Sequence, residues 1–400
     1  MGSFTDRQLF QKYLAPTSDG PLALEIKKAK GIYLYDQKGK SYIDLISGIA
    51  VSNVGHRNKK VISAIKSQLD KYMHLMVYGE YIQGPQVRLA QALVNSTKCE
   101  VLNQVYFTNS GTEAVEGAMK LAKRYTGRSE IISCRNAYHG SSQGALSIAG
   151  DENFKNSFRP LLPDIKHINY GKEEDLLHIS HKTAAIFIEI IGGESGIRKA
   201  SKSYFKALRS RCDETATLLI IDEIQTGFGR TGTFWAYEAM DIIPDILLTA
   251  KGMGGGMPIG AFIANEKLFK TFTFNPVLGH ITTFGGHPVN CAASLATLNF
   301  ILEERLMDLI PEKSQMFVDL LVHPLIKEIR AAGLMIAVEF ESFEMIQKII
   351  QNCLKRGLIT DWFLFCDHSL RIAPPLIISL KEIKIACKIL LQAINDLKEE

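Results

Sequence analysis

Four hundred residues with 46% hydrophobic and 22% charged side chains have the makeup of an ordinary globular protein, long enough for a main domain and a smaller companion. A formal charge of +4, with no long run of like charge, gives no electrostatic footprint for nucleic acid, and no apolar stretch approaches a membrane span. The seven cysteines never form a CxxC pair and read as free thiols of a reducing compartment; with no apolar signal core near the N-terminus, a cytoplasmic location is expected.

Residues 1–55 read as short strands and turns, with "GIYLYDQKGKSYIDLISGIAV" alternating apolar residues around the turn at Gln37-Lys38-Gly39. This segment is expected to join a small domain. From 56 to 295, strand-like runs at 104–108, 130–134, 184–189, 218–222, 246–249 and 261–264 alternate with amphipathic patterns such as "EAVEGAMKLAKRYTG". That alternation predicts an α/β domain with a mainly parallel sheet flanked by helices. Residues 296–400 predict a smaller α+β domain: a helix, the strand "GLMIAVEF", and two further helices.

Ligands in such a fold bind beyond the carboxyl ends of the strands, and the unusual residues fall there. "LLIIDEIQTGFGRTG" carries a carboxylate, Asp222, at the tip of its most apolar strand. "LLTAKGMGGGMPIGA" places Lys251 after another apolar strand and before a glycine-rich loop; it reads either as a solvated lysine or as an amine made nucleophilic by burial. "TNSGTEAVEG" puts Ser110, Gly111 and Thr112 at a helix start, either a simple cap or a phosphate cradle. A lysine able to form a Schiff base, a carboxylate for a pyridinium nitrogen and a phosphate cradle are together what a pyridoxal phosphate enzyme needs. No His, Cys, Asp or Glu spacing suggests a metal.

With these motifs, "YHG", "TTFGGHPVNCAA" and "LRIAPPL", nearly the whole chain resembles the class III aminotransferases of the fold-type I pyridoxal phosphate superfamily, nearest the acetylornithine and ornithine aminotransferase group. The resemblance implies that Lys251 carries pyridoxal 5′-phosphate covalently and shuttles the substrate proton. It implies that Asp222 pairs with the ring nitrogen, Gln225 lies near the phenolic oxygen and Tyr138 stacks on the ring. Gly111 and Thr112, with Ser110 adjacent, would hold the phosphate, and Thr283 would reach the phosphate of a neighbouring subunit in a homodimer. Arg371 would bind a substrate carboxylate, and Glu194 would pair with it when an amine-bearing arm is accepted. His56 and His139 are expected to be structural. The implied reaction moves an amino group from an ω-amino or basic amino acid to a 2-oxo acid such as 2-oxoglutarate.

The substrate motifs depart from the family pattern. Ser141 stands where an arginine is usual after "HG", Ile190 and Gly192 replace proline and glutamine in "EIIGGESG", and His287 replaces asparagine. An aminomutase or decarboxylase of the same fold, or a catalytically silent relative, are the rival readings; a nicotinamide dehydrogenase lacks its glycine fingerprint.

Overall fold

The computed structural model describes residues 4–398. Its centre is a seven-stranded sheet of β1 (Gln104–Thr108), β2 (Glu130–Cys134), β3 (Ile165–Ile168), β4 (Thr183–Glu189), β5 (Leu218–Asp222), β6 (Ile246–Thr249) and β7 (Gly260–Ala264). The strands lie in the order β1-β7-β6-β5-β4-β2-β3. β7 runs antiparallel to both neighbours, and the other pairings are parallel.

Period-two alternation sends Leu218 and Ile220 to one face and Leu219 and Ile221 to the other, and each face is covered by its own apolar cluster. Burial on both faces is why these strands read as continuous aliphatic runs. β3 was not among the expected strands. It pairs only with β2, at the sheet edge, and its exposed Lys166 breaks the apolar run. On one face packs α1 (Gly111–Thr126), whose Ala114, Val115, Ala118, Met119, Leu121 and Ala122 form a buried stripe. Ser110 caps its start by accepting from Glu113 N, and Gly127 ends it in the left-handed region at φ +67°.

The C-terminal part contains a second sheet of β8 (Glu328–Ala332), β9 (Met335–Glu339), β10 (Asp361–Phe363) and β11 (Cys366–Ile372), in the order β8-β9-β11-β10 and wholly antiparallel. Only β9 had been expected; the others mix charged residues into their apolar ones. The helix Pro288–Glu303 runs across residue 296. The N-terminal strands Ile26–Lys30, Tyr33–Asp36 and Ser41–Asp44 form a third sheet, which Leu358–Ile359 completes in parallel with Ser41–Asp44. Ahead of them lies a helix, Asp6–Tyr13, where strands and turns had been expected; Thr5 and Gln8 form its capping box. Among the described residues no helix is long and apolar enough to cross a membrane, and all seven cysteines are free.

Candidate active site

The carboxyl ends of β4, β5 and β6 and the start of α1 open into a cavity of 540 Å³, lined by Ser110, Gly111, Thr112, Tyr138, Ser141, Glu189, Glu194, Asp222, Gln225 and Lys251 among others. The sheet thus brings together seven of the eight expected cofactor residues and one of the two expected substrate residues. Arg371 lies just behind Glu194. Thr283 is exposed and does not line this cavity.

Asp222 stands opposite Glu189 in the register of β5 and β4. Its Oδ1 accepts from Ile224 N at 2.9 Å, and its Oδ2 lies 2.7 Å from Nδ1 of the buried His139. Burial alone would keep His139 neutral, yet the Asp222 carboxylate outweighs it and the imidazole pKa is raised. His139 therefore orients the carboxylate, a role beyond the plain structural one expected for it. The motif "YHG" was visible, but only the fold aims that ring at Asp222. Burial raises the Glu189 pKa to about 7, and neighbouring Asp222 pushes the same way. Glu189 accepts from Gly193 N at 3.1 Å.

Lys251 begins a short 3-10 turn directly after β6, at φ +44°, a conformation that is strained for a side chain of this size. Burial lowers its pKa, while Glu194 and Asp222 partly restore it. More of this lysine is thus neutral, and so available as a nucleophile or proton acceptor, than of a solvated one.

The helix start is held tightly. A Cβ at Gly260 would lie 2.3 Å from Ser110 O, and one at Gly140 would lie 2.3 Å from Thr112 Oγ1. Thr112 Oγ1 lies 2.5 Å from Ser142 Oγ, and Glu116 of α1 accepts from Ser142 Oγ (2.6 Å), Gly144 N (2.8 Å) and Ala145 N (3.1 Å). Glu116, which the sequence reading did not single out, so ties the loop bearing Tyr138 and Ser141 to the cradle. Tyr138 is half-buried, with its hydroxyl 3.0 Å from Ser141 Oγ.

Beyond Lys251 lies a buried ion pair. Arg371 donates from Nη1 to Glu194 Oε1 and from Nη2 to Glu194 Oε2, both at 2.8 Å. Burial would raise the Glu194 pKa, but Arg371 overrides it and the carboxyl is held below its usual range. Gln225 Nε2 donates weakly to Glu194 Oε1 at 3.4 Å.

These residues fit pyridoxal phosphate. Free N–H groups at the start of α1 suit a phosphate. The buried Asp222 carboxylate, oriented by His139, suits a cationic ring nitrogen, and Lys251 opens into the same cavity. Fold and cavity together are those of a pyridoxal phosphate-dependent transaminase. The chain belongs to the class-III aminotransferases, whose family profile matches residues 14–394. Among its relatives, the acetylornithine aminotransferase of Methanocaldococcus jannaschii is 38% identical over 95% of this chain and 96% of its own length. That of Clostridium acetobutylicum is 36% identical over 94% and 97%. Among solved structures, the ornithine aminotransferase of Toxoplasma gondii superposes with a TM-score of 0.89 at 28% identity, covering 98% of this chain and 93% of that one. A transaminase from the marine bacterium Virgibacillus gives a TM-score of 0.90 at 27% identity, with 98% of each chain covered.

Proposed function

We propose that this chain is a cytoplasmic, homodimeric aminotransferase that moves an amino group from an acetylornithine-like ω-amino or basic amino acid to 2-oxoglutarate. The observation that carries the reading is one cavity in which Lys251 and the His139-oriented Asp222 face the cradle of α1, with the buried Arg371–Glu194 pair behind. The names of the curated relatives support the donor class. When bound, covalently on Lys251, the cofactor supplies an aldehyde for the substrate amine and a ring that accepts carbanion electrons.

The chain's own residues do the rest. Asp222 keeps a proton on the ring nitrogen, and His139 holds Asp222 in place. Lys251 Nζ, freed by the substrate amine, would take the proton from the amine-bearing carbon and pass it to the cofactor's carbon, and would move one the other way in the opposite half-reaction. Ser110, Gly111 and Thr112 hold the phosphate, Tyr138 covers the ring and Gln225 sits beside its phenolic oxygen. Glu194 masks Arg371 while an amine-bearing arm occupies the site, and uncovers it for the second carboxylate of the acceptor. Thr283, with exposed Tyr81, Ile82, Val277 and Phe284, belongs to a face that a second copy covers, where it reaches the neighbour's phosphate.

The test is a spectroscopic amine screen of the cofactor-loaded protein. Acetylornithine is expected to bleach the yellow form and 2-oxoglutarate to restore it. Lys251→Ala should abolish turnover; full turnover by that variant without added amine would refute the mechanism. Ser141 favours a second reading, because a serine hydroxyl cannot replace a bidentate arginine for a carboxylate. Bleaching only by amines that lack an α-carboxylate would establish that specificity instead.

A further inference from the structure

Arg371 meets two carboxylates. β10 and β11 are antiparallel, with a register shift only after Trp362, and Asp361 stands directly opposite Arg371. Asp361 Oδ1 lies 3.0 Å from Arg371 Nε, and Nη2 also donates to the Trp362 carbonyl at 2.9 Å. The Phe363 ring centroid is 4.5 Å from the guanidinium carbon. β10 therefore grips the Nε side and one face of the guanidinium, while Glu194, on a loop beyond β4, takes the Nη edge nearest the cavity. Neither the family motifs nor the apolar pattern marks Asp361.

We propose that Asp361 is a positioning residue that keeps Arg371 seated and charge-compensated while Glu194 yields the Nη edge to the carboxylate of an incoming 2-oxo acid. The inference rests on the reading above that Arg371 receives that carboxylate. A buried guanidinium stripped of every anion is strongly disfavoured, so an arginine with Glu194 as its sole partner would hold that partner fast. Asp361 removes this obstacle in two ways. It divides the charge of Arg371 between two carboxylates, which loosens the Glu194 pair. It also remains in place when Glu194 departs, so the guanidinium is never left bare and does not turn away. Burial and the closeness of Glu194 push the Asp361 pKa up to about 6, against the pull of Arg371, as expected of two anions sharing one cation.

The experiment compares Asp361→Ala and Asp361→Asn with the wild type in the two half-reactions, acetylornithine as donor and 2-oxoglutarate as acceptor. Calorimetric affinity for glutarate, a dicarboxylate without the reactive keto group, gives a readout independent of turnover. In Asp361→Ala the KM for 2-oxoglutarate should rise about tenfold or more, with kcat and the donor half-reaction changed by no more than roughly twofold. Glutarate binding should weaken in parallel. Asp361→Asn, which keeps the size of the side chain beside Nε but not its charge, should show most of the same loss. An unchanged or lower KM together with unchanged glutarate affinity would overturn the proposal. So would equal losses in both half-reactions with a lowered Tm, which mark a merely structural role. If the wild type reacts with the donor but neither responds to 2-oxoglutarate nor binds glutarate, the acceptor role of Arg371 fails, and Asp361's role with it.

Discussion

Glu223, the neighbour of Asp222, is fully buried and does different work. Its Oε1 accepts from Tyr237 N at 2.8 Å and its Oε2 from the Thr226 hydroxyl. Burial raises its pKa from 4.5 to about 7 despite those bonds. The folded chain therefore keeps a proton on Glu223 that the unfolded chain loses near its ordinary value. Between these limits unfolding releases a proton, so this residue's contribution to stability falls as pH rises from about 4.5 to about 7 and is level above that. Glu223→Gln keeps an acceptor for Tyr237 and should flatten this part of the profile, by an amount on the order of 3 kcal/mol across the window. Denaturant unfolding of both proteins at pH 5, 6 and 7 checks it, and parallel profiles would refute it. The acidic pair also shows what a sequence discloses at this scale. Asp222 and Lys251 were legible because a charge at the tip of an aliphatic run is locally anomalous. His139, Glu116 and Asp361 were not, because each acts through a partner that only folding brings near: His139 on Asp222, Glu116 on the start of the short helix Gln143–Ser147, Asp361 on Arg371 across a strand pair.

Among the elements, β7 bears most directly on the site. It enters the sheet against the parallel direction, and its first residue, Gly260, presses on the backbone of Ser110 just ahead of α1. No side chain fits there without moving main chain. Gly260→Ala should displace the start of α1 and weaken pyridoxal phosphate binding by about tenfold or more, read from absorbance titration, while circular dichroism stays native. Unaltered cofactor affinity would mean that the Ser110 backbone yields freely. The strands of this sheet that were legible are the five inner ones, buried on both faces, and the edge strand β1, whose Val105, Tyr106 and Phe107 still make an apolar run. β3 at the edge, and β8, β10 and β11 in the small sheet, mix charges into short segments and lose the signal. The helix Asp6–Tyr13 is half the length of α1 and places Leu9, Phe10 and Tyr13 on one side without burying any of them, so its apolar pattern is too brief to stand out.

Across the whole molecule the parts are locked by Arg230, which is fully buried. Its guanidinium donates to the carbonyls of Leu334 and Pro374 in the C-terminal part and to Asn53 Oδ1 in the N-terminal segment, from a loop that follows β5. Burial lowers its pKa to about 9, with Asp44 drawing it back only in part. Arg230→Ala would leave these acceptors without a donor and should cost about 3–5 kcal/mol of stability, measured by denaturant unfolding. A loss below about 1 kcal/mol would mean that the carbonyls find other donors. The third sheet is closed just as widely, since Ser41–Asp44 receives its last partner from Leu358–Ile359. That pairing sets a clock on synthesis. At ordinary elongation rates, roughly 15–60 s separate the appearance of Ile43 from that of Leu358. During that interval the nascent strand has an open edge, the kind of surface on which other chains aggregate. The strand Ser41–Asp44 thus waits for a partner made far later in the chain, and the yield of the protein in a cell will depend on what shelters that edge meanwhile.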